Sequence, residues 1–267
     1  MAATPSPPAD AATDDHVFAA WAATVAGERL TEVRGQGLAG RELKDAGDRA
    51  AHELLMALCA DHRPGDAVMS EESAASIADR DRLSASRVWI IDPLDGTREF
   101  SEPPRDDWAV HVALWARSVD VPGGDLVAGA VAQPGLDTTF DTGHPPLVPA
   151  RTAERPRIAV SRTRPPAFVE GLAEELGAEL VAMGSAGAKV ISVVRDVTDA
   201  YVHAGGQYEW DSAAPVAVAR AAGLHTSRID GSPLLYNQPD VSLPDLVVCR
   251  PELTDAILEY VARAGVA

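Results

Sequence analysis

Several features that define common protein classes are scarce in this chain of 267 residues. It has two cysteines, 5% aromatic residues, and 23 basic against 40 acidic side chains, which gives a net charge of −17. Nucleic acids and anionic membranes bind proteins largely through neutralised phosphate, so we expect neither as a partner. No apolar run approaches the roughly 18 residues needed to cross a bilayer.

The cysteines and the N-terminus indicate the compartment. Cys59 and Cys249 lie far apart in apolar surroundings, which is typical of buried free thiols in a reducing compartment, so we expect a cytoplasmic protein. Residues 1–13 are rich in Ala and Pro and lack the basic and apolar stretches of a signal peptide. We predict a disordered tail there.

The remaining sequence divides into two halves. Residues 14–155 contain helical patterns at 14–33 and 46–61, followed by short strand-like runs, and predict an N-terminal α+β half. From residue 156 to residue 267 strands and helices alternate, which is typical of an α/β half. A segment rich in Pro at 143–156 is the predicted linker, and the length suffices for a substantial core.

The most informative segment is an apolar, strand-like run that ends in Asp92-Pro-Leu-Asp95-Gly-Thr. The end of a strand can aim both carboxylates and the carbonyl of Leu94 at one point, and the Gly96-Thr97 turn can present N–H groups to an anion. Asp, Pro and Gly are also common in ordinary turns. Here, however, one short run supplies two carboxylates, a carbonyl and an anion-binding turn.

Further carboxylates stand on both sides of this run. Glu71 and Glu72 follow a short strand-like segment, and Asp211 follows Trp210. An acidic pair is usually solvated surface, and an aspartate at a helix start is often only a cap. Together with the central run, however, these residues make an all-oxygen donor set without a nearby Cys, which suits Mg²⁺ rather than zinc. A metal site beside an anion-binding turn indicates phosphate chemistry.

Other candidate residues are weaker by themselves. Asp48 lies near the predicted start of the second helix, where an acid complements the helix dipole, but paired with Thr97 it can instead orient or deprotonate a water molecule. The run Gly-Ser-Ala-Gly at 184–187 precedes a helix and is either a tight turn or an anion site. Lys189 follows it. The histidines show no metal-ligand spacing, and His203 is the one we place near a substrate.

Three segments carry a resemblance to a known superfamily. Residues 89–97 resemble the signature of the lithium-sensitive, magnesium-dependent phosphomonoesterases, which include inositol monophosphatases, fructose-1,6-bisphosphatases and 3′-phosphoadenosine 5′-phosphate phosphatases. Residues 70–73 resemble the upstream ligand motif, and Trp210-Asp211 resembles the C-terminal motif. The resemblance spans nearly the whole chain and implies an α/β (α+β) fold, a layered αβαβα sandwich.

Within this superfamily, residues 98–100, 161–163 and 184–189 resemble the CysQ-type branch, in particular its actinobacterial members. Members of that branch remove the 3′-phosphate from 3′-phosphoadenosine 5′-phosphate and its 5′-phosphosulfate in sulfur assimilation. The resemblance therefore implies a 3′(2′),5′-bisphosphate nucleotidase. Inositol monophosphate and fructose-1,6-bisphosphate are the alternative substrates, and a metal-dependent nucleotide sensor is the alternative that is not an enzyme.

The resemblance also implies roles for individual residues. The implied ligands of two or three Mg²⁺ ions are Glu71, Asp92, the carbonyl of Leu94, Asp95 and Asp211. The implied catalytic residues, which activate the attacking water, are Asp48, Thr97 and Glu71. The implied contacts to a small phosphorylated substrate are Gly96, Thr97, Arg98, Ser161, Arg162, Gly187, Lys189, His203 and Asp211. The metal-assisting loop of the family is reduced here to residues 43–48, before the second helix. The sequence leaves a homodimer open.

Overall fold

The computed structural model describes residues 6–73, 77–119, 121 and 123–266. Its helices are α1 (Asp15–Arg34), α2 (Gly40–His62), the single turn α3 (Thr97–Phe100), α4 (Phe168–Leu176), α5 (Ala186–Val194), α6 (Glu209–Ala221) and α7 (Thr254–Ala264). Its strands are β1 (Ala67–Ser70), β2 (Arg87–Asp95), β3 (Ala109–Ala116), β4 (Asp125–Gln133), β5 (Thr138–Asp141), β6 (Arg157–Ser161), β7 (Glu179–Met183), β8 (Ala200–Ala204), β9 (His225–Ser227) and β10 (Asp245–Cys249).

The strands form two five-stranded sheets. The first has the order β1-β2-β3-β4-β5 and is antiparallel except for the parallel pair β1–β2. The second has the order β7-β6-β8-β10-β9, in which β6 is parallel to both β7 and β8. The first sheet is thus mainly antiparallel.

Five layers pack around three apolar clusters, of which the middle one surrounds α5 and α6 and reaches both sheets. Helices α1 and α2 pack on one face of the first sheet, α5 and α6 lie between the two sheets, and α4 and α7 cover the far face of the second sheet. Strand β2 contributes to two clusters, because Trp89 and Ile91 face α1 and α2 whereas Val88 and Ile90 face the central helices. Burial on both faces explains its continuous apolar run, and the layering confirms the predicted αβαβα sandwich.

The second helix begins earlier than predicted. Residues 43–48 are helical and not a loop, because α2 already starts at Gly40. Leu43 is buried in the core, and Gly47 packs so tightly on Phe100 that a Cβ would come within 2.6 Å of its ring. These contacts extend the helix toward its N-terminus. Asp48 consequently lies inside α2 and not near its start.

Other details at the chain ends and helix starts also differ from expectation. Part of the predicted tail is ordered, since Ala9–Ala12 form a 3₁₀ turn whose Ala11 is buried, while residues 1–5 lie outside the described residues. Tyr208, and not Asp211, is the cap residue of α6. The division at residues 155–156 stays a prediction.

Two predictions from composition can be compared with the structure. Both cysteines are free and buried, as predicted, and burial raises the pKa of each thiol. Among the described residues, no helix has the length and apolar character that a membrane span requires.

Candidate active site

Three carboxylates that are distant in sequence converge at the end of β2. Asp92 and Asp95 lie where the register between β2 and β3 shifts, and Asp211 reaches the same place from the first turn of α6. One oxygen of each carboxylate lies within 4.8 Å of the others. The main-chain N–H of Leu94 donates to Asp92 at 3.0 Å, and that of Tyr208 donates to Asp211 at 2.7 Å. The structure therefore brings together three of the predicted metal ligands.

The negative charge of this cluster is poorly compensated. Burial raises the pKa of Asp92 well above its usual range, and the neighbouring carboxylate of Glu71 raises it further. Burial and the charge of Asp95 raise the pKa of Asp211 to about 7. Glu71 is exposed, but desolvation of its carboxylate and the charge of Glu72 raise its pKa to about 7 as well. A crowded set of oxygen donors that resist ionisation fits a divalent cation such as Mg²⁺.

Asp95 differs from its neighbours because other groups of the protein hold its carboxylate. Ser185 Oγ donates to it, the main-chain N–H groups of Ala186 and Gly187 donate at 3.1 and 2.6 Å, and His111 Nε2 lies 3.2 Å from it. Burial alone would raise the pKa of Asp95, but His111 and these hydrogen bonds lower it to about 2. The N-terminus of α5 thus binds the protein's own carboxylate, where the sequence suggested a substrate anion.

No role was predicted for His111, yet it lies inside this cluster. It stands opposite Asp92 on the neighbouring strand β3, and its Nδ1 lies 3.1 Å from the carbonyl of Trp210. A Cβ at position 187 would overlap its imidazole, so Gly187 is required for this close approach. His111 connects the segment of Asp95 with that of Asp211. The residues that His111 joins are far apart in sequence. Only its register opposite Asp92 could have indicated that His111 belongs to the acidic cluster.

Thr97 and Asp48 meet beside the metal-ligand candidates. Thr97 Oγ1 donates to the carbonyl of Leu94 at 3.1 Å and lies 3.5 Å from Asp48 Oδ1. Burial and the charge of Glu72 raise the pKa of Asp48 to about 6. A carboxylate with a pKa just below neutrality can take a proton from a nearby water. The predicted Asp48–Thr97 pair therefore lies where it can accept a proton from a water molecule beside the metal-ligand candidates.

A cavity of about 800 Å³ opens beside the acidic cluster. The predicted substrate-binding residues that line it are Gly96, Arg98, Ser161, Lys189, His203 and Asp211. Thr97, Arg162 and Gly187 are not among its lining residues. The sequence did not point to several other lining residues, among them Arg164, Tyr201 and Gln207.

The basic residues of the cavity lie near one another. Lys189 and Arg164 both lower the pKa of His203, in addition to the larger effect of burial. Lys189 is itself buried, and its Nζ donates to the carbonyls of Gly184 and Ser185 at 2.7 and 2.6 Å. Lys189 therefore holds the turn before α5 and also brings positive charge to the cavity wall. Burial lowers its pKa.

Arg162, predicted to contact substrate, instead bonds to two glutamates. Its Nε donates to Glu99 at 2.7 Å and its Nη2 donates to Glu102 at 2.7 Å.

His203 Nε2 lies 2.6 Å from the carbonyl of Gly205. The assignment of individual residues to metal, catalysis and substrate stays a prediction, with the geometry most direct for Asp92, Asp95 and Asp211.

Sequence comparison places this geometry in a family. The sequence model of the inositol monophosphatase family matches residues 13–265. The chain belongs to this family. Members of the family depend on magnesium, in agreement with the oxygen-rich cluster.

Individual relatives agree with this assignment. The chain is 51% identical over 252 residues to a Mycobacterium leprae protein named 3′-phosphoadenosine 5′-phosphate phosphatase, covering 91% of this chain and 92% of that one. It resembles the crystal structure of CysQ from Bacteroides thetaiotaomicron with a TM-score of 0.72 and 25% identity, covering 87% and 96%. Staphylococcus aureus inositol monophosphatase II shares the fold, with a TM-score of 0.74 and 22% identity over 92% and 95% of the two chains. The predicted family and fold are confirmed.

Proposed function

We propose that this protein is a magnesium-dependent phosphatase that removes the 3′-phosphate from 3′-phosphoadenosine 5′-phosphate and from its 5′-phosphosulfate in sulfur assimilation. The products are AMP or adenosine 5′-phosphosulfate, and phosphate. One observation carries the proposal: the cluster of Asp92, Asp95 and Asp211 opens on a cavity that also holds basic side chains. The name of the M. leprae relative, which is similar over nine tenths of this chain, supports the substrate.

The residues that would hold two or three Mg²⁺ ions are Asp92, Asp95 and Asp211, with Glu71 and the carbonyl of Leu94. Bound there, the ions would neutralise the phosphate and lower the pKa of a water molecule. The chain itself contributes the geometry of these donors. Asp95 in particular is held by Ser185 and by the amides of α5, so its position does not depend on the ion.

Asp48 and Thr97 would handle the proton of the attacking water. The Thr97 hydroxyl is oriented by its bond to the carbonyl of Leu94 and faces Asp48 Oδ1. With a pKa of about 6, Asp48 is ionised at neutral pH and can accept that proton. The amides of Gly96 and Thr97 are the proposed contacts to the phosphate that is removed.

The second phosphate of the substrate would lie at the basic part of the cavity. Arg164 and Lys189 line it with positive charge, and Arg98 lines it with a largely exposed side chain. His203, whose pKa is lowered, adds an uncharged imidazole that can hydrogen-bond. Because the whole chain carries a net charge of −17, this local group of basic residues is needed to attract a bisphosphate. The cavity volume of about 800 Å³ lies in the range usual for small-molecule sites.

A phosphate-release assay tests the proposal. The substrates are 3′-phosphoadenosine 5′-phosphate, its 5′-phosphosulfate, inositol 1-phosphate and fructose 1,6-bisphosphate, each with Mg²⁺ and with EDTA. We expect magnesium-dependent release with the highest kcat/KM on the two nucleotides, and inhibition by lithium. A higher kcat/KM on either sugar phosphate would favour the alternative substrates, and no release from any of the four would favour a nucleotide sensor.

A further inference from the structure

Arg162 stands where the two halves of the chain meet. Arg162 follows β6 of the C-terminal half. Its partners Glu99 and Glu102 belong to α3 and to the turn after α3, which come next in sequence after the Asp92–Thr97 run. Both bonds are 2.7 Å long and join charged groups, and such bonds are stronger than neutral ones. We name Glu99, Arg162 and Glu102 the inter-half clasp.

Glu99 connects the clasp to the cavity. It is only 5% exposed, yet it lines the cavity and packs on Gly184, where a Cβ would overlap its carboxyl group. Gly184 opens the segment 184–187 whose donors hold Asp95. The position of Glu99 therefore affects both the cavity wall and the segment that orients a metal-ligand candidate.

The guanidinium of Arg162 is already engaged. Its Nε and Nη2 face the glutamates, and its main-chain N–H donates to the carbonyl of Met183 at 3.1 Å, beside Gly184. Arg164, in contrast, lines the cavity, and across residues 6–73, 77–119, 121 and 123–266 no ion pair involves it. Of these two arginines, Arg164 is the one free to meet an anionic ligand.

We propose that Arg162 is a positioning residue: it neutralises Glu99 and holds its carboxylate against Gly184, so that the cavity wall accepts a doubly phosphorylated nucleotide. Arg162 does not itself contact the substrate. The identity of that substrate rests on the proposed function. Without Arg162 the buried carboxylate of Glu99 would repel the substrate, and the repulsion grows with the number of phosphates because it scales with charge.

A double-mutant cycle between Arg162→Met and Glu99→Gln tests the clasp, with KM and kcat measured on 3′-phosphoadenosine 5′-phosphate. We expect Arg162→Met alone to raise KM about tenfold while kcat changes less than about threefold. In the Glu99→Gln background the same substitution should change KM less than about twofold, since the charge to be neutralised is gone. An equal rise of KM in both backgrounds would mean that Arg162 binds the substrate directly, and would overturn the proposal.

Further variants serve as a conservative replacement and as a control for this experiment. Arg162→Lys keeps the charge and should hold KM within about threefold of the wild type. Arg162→Gln, which also removes the charge, replaces Arg162→Met in the cycle if that variant does not fold. Arg155→Met is the matched control: Arg155 is an exposed arginine at the boundary of the two halves that pairs with Glu179 of the C-terminal half and does not line the cavity. Its KM should equal that of the wild type.

A stability cycle separates the clasp from the proposed function. Thermal unfolding of the same four proteins requires no substrate, and we expect Arg162→Met to lower Tm more in the wild type than in Glu99→Gln. If the wild type does not act on the nucleotide, the proposed function fails while the stability cycle still tests the clasp. If the wild type is active but neither cycle shows coupling, only the clasp is wrong.

Discussion

Asp92 and Asp199 are both almost fully buried, at 1% and 0% exposure, but their surroundings differ. Asp199 accepts hydrogen bonds from Arg157 at 3.1 Å and from Arg250 at 3.0 Å. Although burial opposes its charge, these arginines hold its pKa below the usual range. Asp92 has Glu71, Asp95 and Asp211 nearby, and its pKa is raised.

This contrast separates two uses of buried charge in one fold. At Asp199 the protein supplies the counter-charge itself, so the carboxylate joins strands β6 and β10 through Arg157 and Arg250. At Asp92 the acidic groups face one another, which costs stability unless a cation binds. A buried carboxylate without its own arginine is therefore the stronger indication of a functional site.

The largest expected effect comes from Asp92→Asn. The amide is nearly isosteric but cannot supply the negative charge that a divalent ion requires, so we expect kcat to fall about a thousandfold or more. Tm measured in EDTA should stay equal or rise, because a source of repulsion is removed. Phosphate release and thermal unfolding check both parts, and a marked loss of Tm would show that Asp92 serves the fold as Asp199 does.

The next largest effect is expected from Asp199→Ala. It removes the more buried of the two carboxylates that pair with the guanidinium of Arg250 and should cost about 3–5 kcal/mol of the free energy of unfolding, or a fall of roughly 10 °C in Tm. The activity of the folded fraction should change little. Asp196→Ala is the control, because Asp196 pairs with the same arginines from a more exposed position and should cost less.

The pH dependence of stability should distinguish the two groups of carboxylates. The pKa values of Asp211 and Glu71 are about 7 in the folded chain without metal, above the values of roughly 4 in an unfolded chain. Their contribution to stability is therefore complete below about pH 4 and is lost as pH rises through 7. We expect Tm in EDTA to fall between about pH 5 and pH 7 and to level off above that, and the fall to become smaller with Mg²⁺.

The outcome for Asp199 has the opposite sign. Its pKa is lowered in the folded chain, so its contribution to stability is present above about pH 4 and is lost only as pH falls further.

Asp211→Asn should flatten the Tm profile in EDTA near neutral pH and leave the acid side of the profile unchanged. A flat profile of the wild type between about pH 5 and pH 7 would contradict the proposed repulsion among the carboxylates of the cluster.

The smallest predicted effect concerns Ser185→Ala. The Ser185 hydroxyl donates to Asp95 and accepts the main-chain N–H of Ala188 at 2.9 Å, so its loss should loosen Asp95. We expect the Mg²⁺ concentration at half-maximal activity, and the Kd for Mg²⁺ from calorimetry, to rise about tenfold. Ser192→Ala, in the same helix but bonded to Thr198, should leave both values unchanged.

Local sequence patterns were sufficient for most elements of the fold. The apolar run of β2 and the alternation of β3 identified these strands, because both signals lie within a few residues. The start of α2 was placed too late, since the three glycines at 35, 37 and 40 indicated a loop. In the structure Gly47 provides the space for Phe100, a tertiary contact that the local pattern does not contain.

The site was accessible from the sequence only in part. The run around Asp92 and Asp95 carries its own signal, and resemblance to the family added Asp211. The turn at 184–187 was suspected of binding a substrate anion; in the structure its donors hold the carboxylate of Asp95, from the other half of the chain. His111 and Arg164 were missed because their roles arise from register across β2–β3 and from the shape of the cavity.

The first turn of α5 serves two sites at once. Ser185 and Ala186 line the cavity and also donate hydrogen bonds to the carboxylate of Asp95. Selection for a new substrate through these positions would therefore alter the ion requirement too. Among relatives of this chain, preference for a ligand and demand for a cation should drift together and not one at a time.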